Sequence, residues 1–80
     1  MSKSRFVFDK FAKLIEQGLI NYKDVSDEVI DFVYQYQEML PLIIICGNSN
    51  RMIEIAESSL NLNSIMFSKP RFGIIRVEKL

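Results

Sequence analysis

The apolar residues change spacing along the chain, and each change marks an element. Phe8, Phe11, Ala12 and Ile15 follow i, i+3, i+4, i+7, with Val7 and Leu14 beside them. That spacing predicts an amphipathic helix over about Phe6–Gln17, after a loose start at residues 1–4. Gly18 suits the position just past its end, where positive φ costs glycine little. Leu19 and Ile20 form an apolar bridge, and Asn21, Asp24 and Ser26 are candidate N-caps for the next helix. Val25, Val29, Phe32, Val33 and Tyr36 then repeat at i, i+4, i+7, i+8 and i+11. Asp24, Asp27, Glu28 and Asp31 fall early in that segment, where the helix dipole favours acids. Pro41 should stop it near Glu38 to Leu40.

The period then disappears. Leu42 to Cys46 is a continuous run, apolar on both faces, predicted to be a central strand covered by helices. A third helix is expected from about Ser49 to Leu60, with Met52, Ile53, Ile55, Ala56 and Leu60 on its apolar face and Asn61-Leu62-Asn63 closing it. Ser64–Ser68 reads as a short strand, Lys69-Pro70-Arg71-Phe72-Gly73 as a turn, and Ile74–Glu78 as a final strand paired back in a hairpin. The predicted fold is α/β, a small two-layer sandwich in the order α-α-β-α-β-β. Residues 1–80 form one domain, without repeats or an internal linker.

Composition narrows the function. The chain has 80 residues, 49% of them hydrophobic, with formal net charge zero. It is long enough for one core and is no polycation. Residues 1–40 hold five Lys/Arg against seven Asp/Glu, and residues 41–80 hold five against three, so the second half is the positive one. There is no histidine, and Cys46 is the one cysteine. Neither a disulfide framework nor a zinc site is expected, and no cofactor. Cys46, at the end of an apolar strand, reads as a buried, inert thiol. The acids of the second helix spread over its outer face and read as solvated. No apolar run approaches the length of a membrane span, so no membrane partner and a reducing cytoplasmic setting are expected.

The candidate chemistry lies where the apolar run ends, at Cys46-Gly47-Asn48-Ser49-Asn50-Arg51. Strand, glycine turn and helix start bring unpaired amides and the positive end of a helix dipole to one place, which suits a phosphate. Gly47, Asn48, Ser49, Asn50 and Arg51 are the candidate phosphate ligands. Lys69, Arg71 and Arg76 are candidate electrostatic contacts. Phe72, if exposed, could stack on an unpaired base, and otherwise is a core or hairpin aromatic. The turn lacks the Lys-Ser/Thr of a P-loop and the glycines of a dinucleotide fingerprint, which disfavours a small nucleotide ligand.

The block from about Asp24 to Val77, DEVIDFVYQYQEMLPLIIICGNSNRMIEIAESSL with the closing RFGIIRVEK, resembles a Smr (small MutS-related) domain. Cys46-Gly47-Asn48-Ser49 resembles a variant of that family's His-Gly-x-Gly turn. The resemblance implies an α/β sandwich related to the C-terminal domain of translation initiation factor three, and binding to DNA or RNA. It also implies nuclease activity in several members, tied to a first strand with Leu-Asp-Leu-His-Gly. The nearest segment here, Leu14-Ile15-Glu16-Gln17-Gly18, keeps only the Leu and the Gly and reads as helix. Residues 1–20 are thus expected as a divergent helical segment. Without histidine as general acid or base, a binding module without cleavage is expected. The alternative is a protein-interaction module. A sheet lacking its first strand would be completed by a homodimer or another protein at an edge, and Tyr22, Tyr34 and Tyr36 would serve it if exposed.

Overall fold

The computed structural model describes residues 5–80, so the loose start expected at residues 1–4 lies outside the described residues. Four strands, β1 (Arg5–Val7), β2 (Leu42–Ile45), β3 (Met66–Arg71) and β4 (Ile74–Lys79), form one sheet in the order β1-β2-β4-β3. β1 runs parallel to β2, and the other pairs are antiparallel. The helices are α1 (Ala12–Glu16), α2 (Tyr22–Gln35) and α3 (Asn50–Leu62). Leu42, Ile44, Ile75 and Val77 are buried in one core with Val25, Val29 and Val33 of α2 and Met52, Ala56 and Leu60 of α3. One helical layer on one sheet is the two-layer sandwich that the pattern predicts.

The start of the chain differs from expectation. Arg5–Val7 is a strand, Asp9–Phe11 a 3-10 turn, and only Ala12–Glu16 is α-helix. The order is therefore β-α-α-β-α-β-β, and the sheet is not short of a strand. Two interactions outweigh the helical spacing. Val7 lies opposite Ile45 in the parallel ladder, which the Phe8 N–H continues by donating to the Ile45 carbonyl at 2.8 Å. Phe6 stacks on Phe32 of α2 at 5.0 Å between ring centroids and lies 5.8 Å from Phe8. Aromatic burial and ladder bonds of this kind override local propensity. Gly18 does end α1 with φ +72°, and the Leu19 N–H returns to the Leu14 carbonyl at 2.9 Å. Asn21 is the cap of α2, its side-chain oxygen accepting the Asp24 N–H at 2.9 Å.

Two further expectations are corrected. β2 is central, but helices cover only one of its faces: Leu42 and Ile44 are buried, whereas Ile43 and Ile45 are half-buried on the open side. Its unbroken apolar run serves a single layer because α2 and α3 lie side by side on the same face. Lys69, Pro70 and Arg71 belong to β3 and not to the turn. β3 is an edge strand with a register shift between Ser68 and Arg71, so the missing N–H of Pro70 breaks no central ladder bond. The turn itself is reduced to Phe72-Gly73.

Candidate functional site

The glycine turn after β2 is held from two sides by distant parts of the chain. Gly47 has φ +63°, and a Cβ built there would lie 2.8 Å from the Asp9 carboxylate. Asp9, just after β1, thus packs directly on the turn. On the other side, Gly73 has φ +84°, and a Cβ there would lie 2.2 Å from the Gly47 carbonyl oxygen. The Cys46 N–H donates to the Gly73 carbonyl at 2.7 Å, tying the β3–β4 hairpin tip to the turn. Both glycines have positive φ, and Gly73 also permits the close approach of backbone to backbone.

Ser49 caps α3: its Oγ accepts the Met52 N–H at 3.2 Å. The amides of Asn50 and Arg51, in the same first turn, have no partner among the described residues. Asn50 borders a cavity of about 370 Å³ with Lys69, Arg71, Phe72 and Glu57. Phe72 stands at the hairpin tip, 66% exposed. Lys69 pairs with Glu57 at 3.3 Å, which half-neutralises the cavity's positive charge.

The candidate residues separate into three places. Asn50, Lys69, Arg71 and Phe72 come together at the cavity, with Gly47, Asn48 and Ser49 in the adjoining turn. Arg51 points elsewhere, its guanidinium 5.8 Å from the Tyr22 ring centre and beside the loop between α1 and α2. Arg76 lies on the open face of the sheet, 3.6 Å from Glu78. Against family models, curated proteins and solved structures, the chain gives no match.

Cys46 is fully buried, and burial, then the Asp9 and Glu57 carboxylates, push its thiol up from 9.0 to about 12. It is no nucleophile at neutral pH. Among the described residues no three His, Cys, Asp or Glu side chains could together hold a metal ion, and no helix is long and apolar enough to cross a membrane. Sequence reasoning missed Asp9 and Glu57. Glu57 was in principle readable, two helical turns after Asn50 on the same side of α3. Asp9 was not, because its role depends on β1, which the helical spacing hid.

Proposed function

We propose that the protein is a Smr-like nucleic-acid-binding module without cleavage activity. The observation that carries this reading is Phe72, an exposed aromatic ring bordering one cavity with Arg71, Lys69 and the first turn of α3. An unpaired base stacks on the ring, and its phosphate meets the arginine and the free amides of Asn50 and Arg51. A first strand, followed by an acid at the glycine turn, also accords with the Smr resemblance. The chain's own first strand is Arg5–Val7, and the Leu14–Gly18 segment is largely α1. Asp9 stands alone there, with no histidine in the chain to act as general acid or base, so binding without cutting is the economical reading.

The test is fluorescence anisotropy against labelled single-stranded RNA, single-stranded DNA and duplex DNA at two salt concentrations. Salt-sensitive binding that prefers single strands is expected. Phe72→Ala should weaken it about fivefold or more, since stacking on an aromatic contributes about 1–3 kcal/mol per base. Arg71→Glu should weaken binding and flatten its salt dependence, whereas Arg51→Glu should do less, because that side chain lies over Tyr22. Absence of binding at low salt, or an unchanged Phe72→Ala variant, would overturn the proposal.

Edge-strand pairing is the weaker second reading. β1 lies beside β2, its outer edge is three residues long among the described residues, and the outer edge of β3 is interrupted at Pro70. Tyr22 and Tyr34 are about half exposed, which leaves α2 open to a partner.

A further inference from the structure

The face of the sheet turned away from the helices is apolar at its centre and basic at its margins. Strand register arranges it in two rows. Arg5, Ile43, Arg76 and Ser68 lie side by side in one, and Val7, Ile45, Ile74 and Arg71 in the other. Ile43, Ile45 and Ile74 are half-buried, and Val7 is 50% exposed. A hollow of about 300 Å³ runs among Arg5, Ile43, Ile45, Pro70, Arg71 and Ile74. Three arginines stand here against one carboxylate, Glu78, which pairs with Arg76 and accepts the Ser68 hydroxyl at 2.7 Å. Arg5 and Arg71 form no ion pair among the described residues. The chain as a whole is neutral, and the acids Asp24, Asp27, Glu28 and Asp31 are exposed on α2, in the other layer. Arg5, on the outer strand, borders both layers: it lines the open-face hollow and also a pocket with Glu28 and Asp31, without an ion pair to either.

The geometry points to this open face as the docking site for an acidic amphipathic helix of another protein. Such a helix buries aliphatic side chains on Ile43, Ile45 and Ile74 and sets carboxylates against Arg5 and against Arg71, which borders both this hollow and the cavity beside α3. A helix about 10 Å across covers two strands spaced about 4.8 Å apart, here β2 and β4, and leaves the flanking strands to supply the charge contacts. It would add a third layer to a sheet whose central strand is apolar on both faces.

Charge and side-chain chemistry favour that occupant over the others. A second copy placed face to face would set arginine against arginine. A second copy presenting its acidic α2 would offer only the tyrosines Tyr22 and Tyr34 as exposed large apolar groups on that helix, with no aliphatic stripe. A nucleic acid would find no aromatic ring in either row on which to stack a base.

The test is a display library of amphipathic helical peptides about 20 residues long, enough to hold a helix, with the polar face varied from basic to acidic. The full-length protein serves as bait. Enrichment of helices with Asp or Glu flanking an aliphatic stripe is expected, and the bound peptide should shift the methyl resonances of Ile43, Ile45 and Ile74. Arg5→Glu alone, and the double variant Arg5→Glu/Val7→Glu, alter exposed positions and should weaken the selected peptide about tenfold, in a salt-dependent way. Both variants should keep wild-type binding to oligonucleotides. Enrichment of basic or uncharged helices, no enrichment, or shifts confined to other residues would overturn the inference. So would loss of oligonucleotide binding in the Arg5 variants, which would assign the face to nucleic acid. Binding to anionic vesicles that Arg5→Glu abolishes, without peptide binding, would assign it to a membrane surface and overturn it equally.

Discussion

Replacing Gly73 by alanine tests the junction of hairpin and turn, with Gly18→Ala as its internal control. Both glycines have positive φ, +84° and +72°, so each variant bears the left-handed cost of about 1–2 kcal/mol. They differ in space. Nothing lies within 4 Å of a Cβ at Gly18, whereas a Cβ at Gly73 would sit 2.2 Å from the Gly47 carbonyl oxygen and 3.1 Å from its carbon. The obstruction is backbone and has no rotamer to yield, so the hairpin tip must move away from the turn. That breaks the bond from the Cys46 N–H to the Gly73 carbonyl and leaves a buried donor unpaired, at about 1–3 kcal/mol. The sum is about 2–5 kcal/mol for Gly73→Ala against about 1–2 kcal/mol for Gly18→Ala. A domain of this length is stable by about 4–12 kcal/mol, so the first variant loses a large share of its stability and the second does not. Urea titration followed by circular dichroism separates them. With a slope of about 1 kcal/mol per molar, the midpoints should fall by about 2–5 M and about 1–2 M respectively, and by more at Gly73. Equal midpoints would show that the close approach of Gly73 to Gly47 does not constrain the fold.

Two further outcomes follow from the same region. Ser49→Ala should cost about 1 kcal/mol through loss of the α3 cap, and Ser49→Asp should restore most of it, read by the same titration. Cys46 should resist thiol reagents at neutral pH until the protein unfolds. Its folded pKa of about 12 exceeds the ordinary 9.0, so the stability it contributes is complete below pH 9 and lost as pH rises from 9 toward 12. Removing the thiol with Cys46→Ala should abolish that part of the alkaline decline.

The parts of the fold with sustained periodicity were legible in the sequence. Val25 to Val33 and Met52 to Leu60 mark α2 and α3, with both ends of α3 within two residues, whereas α2 ends at Gln35, short of the stop expected near Glu38 to Leu40, because Gln37–Met39 tightens into a 3-10 turn. The hairpin partners follow from Ile74 to Val77. The start was not legible, because Phe8, Phe11, Ala12 and Ile15 satisfy a helical spacing while a three-residue strand is too short to display a period of two. What decides there is a tertiary contact, the stacking of Phe6 on Phe32. The apolar run of β2 showed that the strand is central but could not tell a second covering layer from an open apolar face. At the candidate site, Phe72 and Arg71 were readable from composition and the Pro-Gly context. The divergence of Arg51 toward Tyr22 was not, because it depends on how α2 and α3 sit against each other. The basic margin of the open face also needed strand register, since Arg5, Arg71 and Arg76 are scattered in the chain.

The clamping of the Gly47 turn by Asp9 and Gly73 has a thermodynamic consequence. The turn draws on segments near both ends of the described chain, so no local opening frees it without detaching β1 or the β3–β4 hairpin. The Cys46 amide should therefore exchange with solvent deuterium only through near-global unfolding. Any ligand held at this turn binds a surface that exists only when the whole chain is folded. Its binding energy is then expressed as resistance of the entire domain to unfolding, rising with the logarithm of ligand concentration.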